Sequence, residues 1–167
     1  FVADLHNDVL QRAMIGEDIS KQTENGHSDL IRLKDSCIDL EVFVVWIDRN
    51  HSKEGTFNRA NKLYDILEAL ERENKFFKIT KTVSDIYAAK NNNILAAPIS
   101  IEGGEPLEDK IENLYHFIKR GLFYFGPTWN HSLSWVSSSY DEIYNKKNIK
   151  SLGLNEFGNE VINTCNE

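Results

Sequence analysis

The stretch from Asp39 to Ile47 constrains the fold of this chain more than any other. Val42-Phe43-Val44-Val45-Trp46-Ile47 is an unbroken apolar run rich in β-branched residues. It lacks the alternation of a half-exposed strand, so it reads as a strand covered on both faces. Glu41 interrupts it near its start. A strand of that kind belongs in a parallel sheet with helices packed on it, and the rest of the pattern agrees. Phe1–Leu5, Ile94–Ile101 and Leu122–Phe125 are three further strand candidates. Between them fall helical patterns: a brief helix over Val9–Ile15, a turn or two at Asp29–Leu33, and a long helix after Thr56 as N-cap, with Phe57, Ala60, Tyr64 and Leu67 on one face. A helix over Val83–Lys90 is closed by Asn91-Asn92-Asn93. A stripe of Leu107, Ile111, Leu114 and Ile118 ends at Gly121, and a final helix capped by Asn155 carries Phe157, Val161, Ile162 and Cys165. No hairpin signal joins adjacent apolar runs. Four β/α units in succession predict an α/β fold with four parallel strands, right-handed crossovers and intervening helices. That is either an open doubly wound sheet or half of a (β/α)8 barrel. A whole barrel takes about 250 residues, and this chain has 167.

Composition narrows the function classes. A net charge of −7 argues against nucleic acid as a partner. The longest apolar run is far too short to span a bilayer. The two cysteines, Cys37 and Cys165, form no Cys-x-x-Cys, so neither a zinc ribbon nor a disulfide scaffold is indicated. Both are expected to pack as small apolar residues. The chain opens on Phe inside a strand pattern and stops inside a helical one, so both ends read as cut.

Ligands of parallel α/β folds bind beyond the carboxyl ends of the strands. Three strand ends carry suitable groups. After the first stand His6 and Asp8, two residues apart and so on one side of an extended chain; an imidazole and a carboxylate so placed can hold a divalent metal. After the third stands Glu102, whose carboxylate can bridge two cations and whose followers, Gly103 and Gly104, let the backbone turn sharply. After the fourth stand Thr128, Trp129, Asn130 and His131. A second His-x-Asp, His27-Ser28-Asp29, has no strand before it and reads as a cap or loop. Thr128–Gly153 is long for a connection and is expected to contact ligand or act as a lid. Within it Trp129 and Trp135 suit either a pocket wall or an anchor for the loop. His51 and His116 read as solvated. No dinucleotide fingerprint, Walker motif or nucleophile elbow is present.

These blocks, in this order, resemble the N-terminal half of the membrane (renal) dipeptidase family, zinc peptidases among the amidohydrolase-like barrels. Asp4-Leu5-His6-Asn7-Asp8 is similar to the family's opening Asp-Gly-His-Asn-Asp, with Leu5 replacing Gly. His27-Ser28-Asp29-Leu30-Ile31-Arg32-Leu33 resembles its His-x-Asp-Leu-Pro-Arg-Leu segment. Ser100-Ile101-Glu102-Gly103-Gly104 resembles its Ile-Glu-Gly block, and Gly153–Val161 its Gly-Leu-Thr-x-Phe-Gly-x-Glu-Val helix start. The resemblance spans nearly all of the chain. It implies a TIM-type (β/α)8 barrel of which residues 1–167 form the N-terminal half, with two zinc ions. His6 and Asp8 would bind one zinc and Glu102 would bridge both, acting in catalysis. Trp129, Asn130 and His131 would contact substrate. The implied reaction is hydrolysis of dipeptides, often with a D-residue at the C-terminal position, by a metal-bridged hydroxide. The family's other ligands, two histidines, and its acid/base Asp and substrate-binding Arg belong to the C-terminal half, supplied by the same or a second chain. Alone, residues 1–167 are expected to be inactive. A homodimer is compatible, and the resemblance favours a secreted, periplasmic or membrane-anchored protein.

Two departures stand out. Many members have a histidine after the Thr that follows strand four, and here that residue is Trp129. Ser36-Cys37-Ile38-Asp39 replaces a Gly-Gly region before strand two. The first leaves open a second reading: a catalytically silent relative that binds a ligand or partner at the same rim. A third is a metal-free α/β domain whose likeness is coincidental.

Overall fold

The computed structural model describes residues 1–48 and 54–166. Among them lie six short strands and seven α-helices. The strands are β1 (Ala3–Asn7), β2 (Leu40–Trp46), β3 (Phe77–Lys78), β4 (Leu95–Ala96), β5 (Ile99–Glu102) and β6 (Leu122–Gly126). The helices are α1 (Leu10–Met14), α2 (Leu30–Asp35), α3 (Thr56–Glu73), α4 (Val83–Asn91), α5 (Ile111–Arg120), α6 (Ser139–Tyr144) and α7 (Glu156–Cys165).

Every strand pairing is parallel. β2 lies between β1 on one side and β4 and β5 on the other, and β6 pairs with β5. β4 and β5 face the same strand in one register, Leu40 opposite Ala96 and Phe43 opposite Ile99. They are therefore one strand interrupted at Ala97-Pro98, where proline has no N–H for the ladder. The sheet thus runs in chain order as four successive strands, with β3 as a two-residue addition to β4. It also curls. Tyr124 on β6 donates its hydroxyl to the Leu5 carbonyl oxygen on β1, 2.7 Å away, across two intervening strands. This is the arrangement expected of half a parallel barrel. Among the described residues β1 and β6 each have one strand partner.

β2 shows why the unbroken run mattered. Phe43, Val45 and Ile47 pack with Ile99 and Ile101 against Leu10 of α1, Ala60, Leu63, Tyr64 and Leu67 of α3, and Phe117 of α5. Leu40, Val42 and Val44 face the other way and meet Ala96, Ile86, Ala89 and Tyr124. Alternate residues along the strand thus serve two apolar layers. A third cluster joins Leu107, Leu114, Trp135, Val136 and Val161.

Several local expectations need correction. Gly55, not Thr56, occupies the N-cap of α3, with φ 90°. The Thr56 hydroxyl is drawn instead to the Glu105 carbonyl oxygen at 2.6 Å. The stripe ending at Gly121 is out of phase: Leu107 belongs to a separate 3₁₀ turn over Glu105–Leu107, so the helical period begins only at Ile111. Phe117 is buried and Ile118 is 39% exposed as a result. Gly121 does cap α5 in the left-handed conformation, φ 99°. β3 is too short to carry a period. The segment after Thr128 contains α6 and a 3₁₀ turn at Lys146–Asn148, and Trp135, 1% exposed, anchors it to the third cluster. His116 is exposed, as read from the sequence, and also bonds through Nε2 to Asn61 Oδ1 at 2.7 Å and packs on Phe57 and Phe117. Cys37, just beyond α2, and Cys165, the last residue of α7, are both exposed rather than packed. His51 and most of the loop around it lie outside the described residues. No helix among the described residues is long and apolar enough to cross a membrane.

Candidate metal centre

Strand geometry delivers three side chains to one point. His6 leaves the end of β1, Asp8 follows two residues on, and Glu102 is the last residue of β5. His6 Nε2 lies 3.4 Å from Asp8 Oδ2 and 3.4 Å from Glu102 Oε2. One ligand atom from each residue falls within 4.8 Å of the others. The donor set, one imidazole nitrogen and two carboxylate oxygens, suits zinc. The spacing suits it too: a tetrahedron with bonds of ~2.1 Å has ligand–ligand edges of about 3.4 Å. The three side chains are 44%, 55% and 27% exposed, so the point lies on the open rim. Burial pushes the Glu102 carboxyl above its ordinary range; His6 draws it down and the Asp8 charge raises it again.

The glycines after Glu102 have a defined task. Gly103, with φ 89°, donates its N–H to the Gly126 carbonyl oxygen at 2.9 Å, and Gly104 donates to Pro127 at 3.0 Å. The β5–β6 ladder thus continues past Glu102 and fixes its direction. A Cβ on Gly104 would overlap the Trp135 ring and come 2.9 Å from the Pro127 oxygen.

On the other side of β1, Asn7 uses its whole amide. Its Nδ2 donates to Ser28 Oγ at 2.8 Å and to Glu41 Oε1, and its Oδ1 accepts from the Val9 N–H at 2.9 Å. The second His-x-Asp is no metal arm. Its Asp29 is fully buried and N-caps α2, accepting from the Arg32 N–H at 2.8 Å and the Thr23 N–H at 3.1 Å. Burial alone would raise the Asp29 carboxyl, but these bonds and the Arg32 charge bring it below its usual value. Arg12 ties the Ser28 carbonyl oxygen at 2.7 Å.

Trp129, Asn130 and His131 are all exposed on the turn after β6. Trp129 stands edge-on to Trp46, with ring centroids 4.9 Å apart, and a Cβ on Gly103 would lie 4.0 Å from the Trp129 Cβ. Its ring thus packs on Trp46, the ladder partner of Glu102. His131 touches Trp129 at 5.9 Å and also lines a cavity of about 770 Å³ with Glu105, Asp109 and Asp141. The Asn130 carbonyl oxygen is taken by Ser138 Oγ at 2.9 Å. Trp46, opposite Glu102 in the ladder, has no counterpart among the sequence candidates. Its signal was an aromatic residue near the C-terminal end of an apolar strand, which core packing explains equally well.

A family model of the membrane dipeptidases, peptidase family M19, matches residues 1–167. The chain belongs to the membrane dipeptidase family. A coincidental likeness is thereby removed. A protein of Acinetobacter calcoaceticus, described as an uncharacterized protein in the PQQ-III 3′ region, is 24% identical over 188 residues, covering 98% of this chain and 59% of its own length. Among solved structures, the dipeptidase AC, a metallopeptidase of family M19, superposes with a TM-score of 0.83 at 22% identity over 99% of this chain and 53% of its own. A metallopeptidase from Rhodobacter sphaeroides, liganded with a phosphinate mimic of the dipeptide L-Ala-D-Ala, gives 0.81 at 20% identity over 99% and 55%. The probable dipeptidase PvdM from Pseudomonas aeruginosa gives 0.79 at 16% identity over 98% and 44%. This member of the family thus spans about half the length of these relatives. Its fold is the N-terminal half of their TIM-type barrel.

Proposed function

We propose that the full-length protein is a zinc-dependent dipeptidase in which His6 and Asp8 hold one zinc ion and Glu102 bridges two. The observation that carries this reading is the convergence of His6 Nε2, Asp8 Oδ2 and Glu102 Oε2 at the ends of β1 and β5, which flank β2, in a chain of the membrane dipeptidase family. Bound there, zinc supplies a Lewis acid that lowers the pKa of water and polarises a carbonyl. The chain's own residues set the rest. His6 presents Nε2, which must be unprotonated to coordinate. Glu102 offers two oxygens from a strand end held by Gly103 and Gly104. Trp46 and Trp129 form an apolar wall beside Glu102 that limits water at the reacting bond, and His131 stands next to that wall as a polar contact for the substrate. The remaining ligands and barrel strands come from further sequence in the same chain or from a second chain.

The test is Glu102→Gln in the full-length protein. Dipeptide hydrolysis falls by at least ~100-fold and elemental analysis finds one zinc per chain or none. A variant that keeps two zincs and normal turnover contradicts the proposal. One observation favours a second reading, a silent relative: Trp129 puts an indole, with no acceptor nitrogen, on Trp46, the ladder partner of Glu102. That reading predicts bound zinc in the wild type without hydrolysis of any dipeptide.

A further inference from the structure

Glu41 is the one acidic residue in the otherwise apolar β2, and it is 1% exposed. Its Oε2 has no hydrogen-bond partner, while its Oε1 accepts from Asn7. An ionisable side chain buried with half its capacity unused is costly, and an apolar residue of similar volume would fit a strand core better. Packing therefore gives no reason for Glu41, whereas the position of Asn7 does. Asn7 is the residue between His6 and Asp8. Along an extended chain it points away from the side that they share. On that far side its amide makes three bonds: to Glu41 in β2, to Ser28 ahead of α2, and from the Val9 N–H at the start of α1. Ser28 is itself held by Arg12, whose guanidinium also makes a paired contact with Glu17, two bonds of 2.7 Å each. The register of β1 against β2 shifts between Asp4 and Asn7, so the ladder alone does not orient this stretch. The side-chain bonds of Asn7 take over that task.

We propose that Glu41 is a positioning residue: through Asn7 it holds the His6 and Asp8 side chains in the arrangement that chelates a divalent cation. This rests on the reading of His6, Asp8 and Glu102 as a metal site. Glu41 touches none of the three. It fixes the backbone turn from which two of them project, as outer residues commonly fix metal ligands.

The test uses Zn²⁺ alone, titrated into the metal-free full-length protein in competition with a chromophoric chelator, alongside thermal melts of the metal-free state. Glu41→Met keeps the volume and removes the acceptor. Zinc affinity falls about 10-fold or more, while the metal-free melting temperature stays the same or rises. Glu41→Gln keeps an oxygen for Asn7 and restores affinity to near the wild-type value. A purely structural role would lower the melting temperature of Glu41→Met and leave the affinity of the folded protein unchanged, and that result overturns the proposal. If Glu41→Met does not fold, Ser28→Ala, which removes the other acceptor of Asn7, decides in the same way: lower affinity supports positioning, unchanged affinity overturns it. Wild-type protein that binds no zinc overturns the metal site itself and the positioning role with it. Wild-type affinity in Glu41→Met, or in Ser28→Ala where Glu41→Met does not fold, overturns the positioning role alone.

Discussion

Two strand residues, Glu41 of β2 and Asn7 of β1, bear most of the consequences at the smallest scale. Burial pushes the Glu41 carboxyl up to about 7; the Asn7 bond pulls it down and the nearby Asp4 charge pushes it up again. Folded, Glu41 therefore holds its proton where an unfolded chain has lost it. A carboxyl raised in this way adds stability below its unfolded pKa, near 4.5, and that contribution is lost as pH rises through about 7. On lowering the pH from 8 to 4, the wild type should gain about 3 kcal/mol relative to Glu41→Gln. Urea unfolding of both proteins at the two pH values measures the difference, and parallel pH dependences would refute the assignment. Nothing in the sequence pointed to this: Glu41 reads only as an interruption, because its partner, Asn7, lies 34 residues away. That His6, Asp8 and Glu102 meet at one rim was legible because strand ends can be read from apolar runs; their ligand role remains the proposal. Trp46 was not legible, since an aromatic at a strand end satisfies core and site alike.

At the scale of elements, the strands and most helices follow from pattern. β2 is the clearest case, with its odd and even positions serving two apolar clusters. Patterns failed where a period was carried across a break. Leu107 and Ile111 have helical spacing but belong to different elements, and the two residues of β3 hold no period at all. The cap of α3 went astray because the Thr56 hydroxyl had a tertiary partner in Glu105, which local propensity does not contain. In the segment after Thr128, the sequence left Trp135 open as pocket wall or anchor, and the structure makes it the anchor that fastens the segment to α5 and α7. Gly104 is the point where this segment approaches the turn after β5 most closely. Gly104→Ala would drive a methyl into the Trp135 ring and to 2.7 Å from Leu133 Cδ1, costing about 2 kcal/mol. Chemical denaturation measures the loss; a cost below ~0.5 kcal/mol would show that this turn is not tightly packed.

For the whole molecule, the parallel sheet presents a rim whose acidic and imidazole groups converge, while among the described residues β1 and β6 each keep one edge without a strand partner. β1 is exposed along most of its length and Leu5 is 59% exposed. A parallel sheet is ordinarily covered, so this surface fits the remaining half of a barrel, the proposed source of the other ligands. Family membership and half-barrel topology were both within reach of the sequence, because four separated motifs kept their order. The most direct test of the proposed function is anomalous diffraction at the zinc edge from crystals of the full-length protein. The account predicts two zinc peaks, one within ~2.0–2.2 Å of His6 and Asp8 and both bonded to Glu102. A zinc-free rim, or zinc held without Glu102, would contradict it.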